Sequence, residues 1–203
     1  SAALVGNHDY DYGEESLKAM VSSASFAMLG ANVYRKEDGK SASYLRPYTI
    51  VERAGKKIAV LGLAGKHTAT STLPANVKHL YFADEETEGA KWTAEIKTKK
   101  PDAIIIMAHI GIGGDTAGRI TDVSTWTFTA QEAAHGTIGV ARAAGGAQAV
   151  FGGHNHAGLA KGWYDKESST LILESFWSLT DVTRLDLQFD DATGAFAGAK
   201  AEL

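Results

Sequence analysis

The chain has 203 residues, 44% of them apolar, a formal charge of −4 and no cysteine. That length supports a sizeable core. The charge offers no basic field to a nucleic-acid polymer, and without thiols there is neither a disulfide nor a thiolate metal site. No apolar run approaches the roughly 18 residues of a membrane span, and the first residue is Ser1 rather than Met, so targeting is not readable from this end.

In chain order, the apolar run Ala2–Val5 predicts a buried strand that runs into Gly6-Asn7-His8-Asp9. Residues 13–24 open on Glu14 and Glu15, acidic groups that suit a helix N-terminus. A hairpin turn at 53–57 (RAGKK) leads into a second buried strand, Ile58–Ala64. Residues 84–100 begin acidic, set Trp92 and Ile96 one turn apart, end on Lys97, Lys99 and Lys100, and stop at Pro101, which marks a surface helix. Ala103–Ala108 is a third buried strand and runs into His109-Ile110-Gly111. Residues 129–146 are rich in small side chains and predict a helix stopped by Gly145 and Gly146. Gln148–Phe151 then runs into Gly152-Gly153-His154-Asn155-His156. Beyond Gly158 the pattern predicts antiparallel strands over 159–165, 169–177 and 181–191. The expectation is one mixed α/β domain over 1–203, parallel in its first part and antiparallel in its last.

Three buried strands thus deliver Asn or His to the position just beyond their carboxyl ends, where α/β sheets bind ligands. Taken singly, each has an ordinary explanation: Asn and Asp favour turns, and a single His after a strand can be structural. Taken together, Asn7-His8-Asp9, His109 and the His154/His156 pair predict a metal site in which imidazoles and an Asn amide oxygen are neutral nitrogen and oxygen donors, suited to zinc, manganese, iron or a similar divalent ion. His154 and His156 would face opposite sides of a regular strand, but the preceding glycines predict a loop in which both can turn to one site. His67, His79 and His135 do not share this placement and are expected to be surface or structural. The stretch Gly62–Thr68 contains Gly-Lys but lacks the spacing and the Ser or Thr of a phosphate loop.

The stretches GNHDYDYG, AHIGIGGD and GGHNHAG, in that order, resemble the later motifs of the calcineurin-like metallophosphoesterases. The 5′-nucleotidase branch is most similar, with the patterns GNHE-F-D-x-G, S-H-x-G and G-G-H-x-H; this sequence has Asp9 and Tyr10 in place of Glu and Phe. LGANVY, RPYTIVERAGKKIAVLGLAG and SFWSLTDVTRLDLQFD extend the likeness over most of the chain. The resemblance implies a four-layer αββα metallophosphoesterase sandwich with two divalent metal ions at the strand ends. It implies hydrolysis of phosphate esters, with a nucleotide as partner, by a metal-activated water. By this likeness Asn7, His109 and His154 hold one metal and His156 belongs to the other. His8 stands over the phosphate as acid or transition-state stabiliser, and Asp11 orients it. A periplasmic or extracellular location is also implied.

The family pattern further includes an earlier Asp-x-His and a Gly-Asp whose aspartate bridges the metals; only five residues precede Gly6. The fold is therefore expected to be incomplete at the N-terminus, with at most a partial metal site and little activity in this chain alone. The family's C-terminal nucleotide-binding domain is not represented in it either. Partial order, association with another chain (a complementing chain or a homo-oligomer) or a domain rearranged to cover the gap is expected at the open edge. Same-fold hydrolases of cyclic nucleotides or sulfur-linked substrates, and a degenerate non-catalytic binding module, are the competing readings.

Overall fold

The computed structural model describes residues 1–113, 127–131 and 135–203. In chain order its elements are β1 (Ala2–Leu4), a 3₁₀ turn (Asn7–Tyr10), α1 (Glu14–Ser23), β2 (Ala27–Leu29), β3 (Val33–Arg35), β4 (Tyr48–Arg53), β5 (Lys56–Leu63), the single-turn helices α2 (Thr68–Ser71) and α3 (Pro74–Val77), β6 (Leu80–Phe82), α4 (Glu85–Thr98), β7 (Ala103–Ala108), α5 (Gly136–Ala144), β8 (Ala149–Phe151), β9 (Trp163–Asp165), β10 (Thr170–Leu173), β11 (Arg184–Phe189) and β12 (Phe196–Glu202).

A six-stranded sheet in the order β4-β5-β7-β8-β10-β9 forms the centre. Its inner strands β5, β7, β8 and β10 pair in parallel, and the edge strands β4 and β9 are antiparallel. Alternation along the inner strands assigns their two faces. Ala59, Leu61, Leu63, Ile104, Ile106, Ala108, Val150 and Ile172 pack with Ile96 of α4 and with Ile138, Val140 and Ala141 of α5. On the other face, Ala149, Leu171 and Leu173 meet Leu185, Ala199 and Ala201 of the β11–β12 hairpin. The parallel pair β1–β2 also lies over β5, and Leu17 of α1 packs with Met28 and Val5 on its outer side. The layers therefore run helix, sheet, sheet, helix, with the second sheet present as two separate pairs.

Local signals account for the element ends. Asp84 caps α4 by accepting the Thr87 amide at 3.0 Å, and Glu85, Glu86 and Glu88 occupy its first turn. α5 is shorter than expected. Residues 129–131 are not helical, and residues 132–134 lie outside the described residues. The helix begins at Gly136 (φ +68°), where the amides of Thr137 and Ile138 donate to the carbonyls of Gly111 and Ile112. Its start is fixed by the loop after β7, not by its own composition. The strand expected over 169–177 stops at Leu173, because Phe176, Ser178 and Leu179 adopt left-handed backbone (φ +53°, +54° and +57°). β10 is antiparallel only to β9 and joins β8 in parallel. The strands β3, β6 and β12 and the helical turns α2 and α3 were not anticipated from the sequence pattern.

Candidate metal centre

The register Leu63↔Ala108 in β5–β7, and Met107↔Phe151 in β7–β8, brings the carboxyl ends of three parallel strands side by side. β1 ends against the same edge: a Cβ at Gly6 would stand 2.8 Å from the His109 ring, so only glycine permits this approach. The Gly6 amide donates to Asp9 Oδ2 at 2.7 Å, closing the turn. Burial raises the Asp9 carboxyl despite that bond.

Asn7 is buried and held at both ends. Its Nδ2 donates to the Ser71 carbonyl at 2.9 Å, which orients the amide and leaves Oδ1 facing His109 Nε2, also at 2.9 Å. His109 Nε2 therefore carries the proton in this arrangement. At 2.9 Å the two atoms are at hydrogen-bond distance; to share one tetrahedral ion they would part to roughly 3.4 Å and Nε2 would give up its proton. His154 lies beside His109, ring centroids 5.3 Å apart, and His67 stacks on His154 at 3.6 Å. The donor nitrogens of His67, His109 and His154 all lie within 4.8 Å of one another. Burial, reinforced by the neighbouring imidazoles, lowers His109 and His67 to about 4 and lowers His154 as well. All three are thus held neutral, the form that ligates a metal.

His154 and His156 both take left-handed backbone, φ +68° and +63°. The loop does not send them to opposite faces: both line one cavity of about 580 Å³, together with Asn7, His8, His109, Trp177 and Asp181. They are not equivalent, however. His156 is exposed and stacks on Trp177, centroids 5.6 Å apart, outside the histidine trio. His8 stands exposed at the rim, its Nδ1 2.7 Å from Asp11 Oδ2, while Asp11 Oδ1 accepts the Thr72 hydroxyl at 2.9 Å. These two bonds hold the Asp11 carboxyl below the usual carboxylate range. Nδ1 then carries the proton, leaving Nε2 as the ring nitrogen not engaged by Asp11.

His67 was not anticipated here. It does follow a buried strand, β5, but three residues intervene, and only the α2 turn brings it back to the strand ends. His79 pairs with Glu14 and His135 approaches Glu86, both away from the trio. Gly114 and Asp115, the end of the second motif, lie outside the described residues.

The calcineurin-like phosphoesterase profile matches residues 2–158. The chain belongs to the calcineurin-like phosphoesterase family. Within this family it is 40% identical over 111 residues to a 5′-nucleotidase of Vibrio cholerae, a match covering 54% of this chain and 20% of that protein. The chain thus spans about a fifth of the length of the curated relatives it matches. The calcineurin-like phosphoesterase YfkN from Bacillus subtilis superposes with a TM-score of 0.73 at 22% identity, covering 100% of this chain and 62% of that one. The sulfate thiohydrolase SoxB of Thermus thermophilus superposes with a TM-score of 0.77 at 15% identity, covering 100% and 32%. These two likenesses concern the fold.

Proposed function

We propose that this chain carries part of the centre of a metal-dependent phosphoesterase acting on nucleotides, as in the 5′-nucleotidase branch. The observation that carries the reading is the convergence of Asn7, His109 and His154 from three strand ends, beside the His8–Asp11 pair, on one cavity. The residues fit a divalent ion: the donors are neutral, Asn7 Oδ1 adjoins His109 Nε2, and the His154 donor nitrogen lies within 4.8 Å of that of His109. Asn7, His109 and His154 would hold one ion, and His156, further out, is available to a second. Bound there, the metal supplies an activated water and neutralises charge on the phosphate. The protein's part is to place the groups. Asp11 fixes the tautomer of His8, so that Nε2 can hold a proton at the phosphate or deliver it to the leaving oxygen.

Among the described residues, no carboxylate joins the histidine group. By the family likeness, in which the aspartate of an earlier Gly-Asp bridges the metals, we propose that these 203 residues turn over slowly alone, and that a bridging carboxylate and a nucleobase pocket are supplied elsewhere. The same likeness favours an extracytoplasmic setting; among the described residues no helix is long and apolar enough to cross a membrane. The test is a phosphate-release assay on nucleoside monophosphates with manganese or zinc, run on this chain and on any longer protein containing it. Chelator-sensitive release by the longer protein, and much less by this chain, is the expected result. No release from any nucleotide would sink the assignment. Release only from cyclic nucleotides, or cleavage of a sulfur-linked substrate, would move it to another reaction on the same fold.

A further inference from the structure

We propose that His67 is an additional protein ligand, so that His67, His109, His154 and the Asn7 amide oxygen form a three-histidine, one-amide site for a single divalent transition ion. The inference rests on the metal reading above and extends it to a residue outside the motifs that prompted it.

Four observations converge on His67. Its Nε2 is buried and has no hydrogen-bond partner among the described residues, a costly state for a polar atom unless something else occupies its lone pair or proton. Its donor atom lies within 4.8 Å of those of both His109 and His154. Nitrogen donors on one tetrahedral ion with bonds of about 2.0–2.1 Å stand roughly 3.4 Å apart, so closing the group takes a side-chain-scale contraction together with rotation of the His67 and His154 rings out of their stack, because an imidazole lone pair lies in its ring plane. The backbone is shaped around the ring: a Cβ at Gly65 would overlap both the His67 imidazole and the His109 carbonyl. The turn that carries His67 is also the one that holds Asn7. The His67 carbonyl accepts the Ser71 amide at 2.8 Å, and the Ser71 carbonyl in turn accepts Asn7 Nδ2. The backbone bonds of this turn do not depend on the side chain at 67, but a side chain present only to fill space would need no buried nitrogen facing His109 and His154. Aliphatic side chains pack against imidazoles without burying an unpartnered nitrogen.

The four donors are neutral and include no thiolate or carboxylate. Imidazole-rich sites of this kind suit zinc, cobalt or iron over magnesium or calcium, which take oxygen ligands.

Cobalt(II) titration of the full chain, followed by visible absorption and by calorimetry, tests the assignment. The wild type is expected to bind one ion with the intense bands of a four-coordinate site. His67→Ala is expected to lose roughly 10-fold to 100-fold in affinity and to shift to the weak bands of higher coordination, while His79→Ala, at the distant Glu14 pair, behaves as wild type. If His67→Ala fails to fold by circular dichroism, nitrogen NMR of the wild type decides. A ring nitrogen of His67 should move on zinc addition together with those of His109 and His154. Wild-type binding that leaves His67 unshifted, or an unchanged affinity and spectrum in a folded His67→Ala, would overturn this inference and leave the Asn7–His109–His154 reading intact. Failure of the wild type to bind cobalt or zinc would remove both.

Discussion

At the scale of single residues, the site separates histidines by surroundings, not by sequence context. His109 is enclosed and held by Asn7, His67 and His154 share one stack, and His8 and His156 stand out at the rim. The half-buried three suit ligation and the exposed His8 suits proton transfer. In the active protein, His8→Ala is expected to lower kcat by roughly 10²–10⁴-fold with little change in KM, the range for a positioned acid or base. Asp11→Asn, which keeps the shape but removes the charge that fixes the His8 tautomer, should give a smaller loss, on the order of 10-fold. Steady-state kinetics of both variants check this; an Asp11→Asn enzyme as fast as wild type would remove the orienting role. These residue types and their order were legible in the sequence because each motif is contiguous. The participation of His67 was not, because nothing local marks the turn that brings it back to the strand ends.

At the scale of elements, the loops beyond the strands are held by buried groups from neighbouring elements. Glu174, one residue past β10, is buried against Gly152 at the start of the His154 loop, and neither of its carboxyl oxygens has a hydrogen-bond partner among the described residues. Burial raises it to about 9; the Ala157 amide pulls weakly the other way, in a geometry too poor to satisfy either oxygen. The sign follows from linkage. The native state retains a proton that the unfolded chain releases near 4.5, so the stabilisation is complete below that pH and is lost as pH rises through about 9. Urea denaturation of wild type and Glu174→Gln from pH 5 to 8.5 should show the variant gaining on the wild type with rising pH. A constant difference would contradict a native-state carboxylic acid. Arg142 of α5 forms the second tie, reaching Asp165 at 2.8 Å and 3.1 Å at the end of β9. Burial pushes Asp165 up, but Arg142 and Ser168 outweigh it and bring it down to about 2. Arg142→Ala should destabilise by roughly 1–3 kcal/mol, the value of a charged hydrogen-bonded pair, read from the denaturation midpoint at pH 7. No loss would mean that Ser168 alone suffices.

At the scale of the whole molecule, stability is unevenly distributed. The parallel strands β5, β7, β8 and β10 are covered on the α4/α5 face and, around β8 and β10, by the β11–β12 hairpin on the other. β1–β2 and β11–β12 are two-stranded pairs, and among the described residues the outer edge of β2 is met only by a single bridge to Arg46. Two-stranded pairs are marginal alone, so amide exchange should be slowest in β5 and β7 and faster by orders of magnitude in β1 and β2. Mass-spectrometric exchange of the chain tests this, and equal protection in both layers would mean that the second sheet is as stable as the first. The order of motifs, their position after buried strands and the α/β class were determined by the sequence itself. Continuous apolar runs define strands locally, and a strand's carboxyl end fixes where the next side chain emerges. The tertiary structure alone decided that Asn7 meets a carbonyl 64 residues away and a histidine 102 residues away. It also decided that α5 starts on the β7 loop, that His67 joins the cluster while His156 stays outside it, and that Glu174 is buried without a partner. Each of these depends on packing between distant segments, which no local pattern encodes.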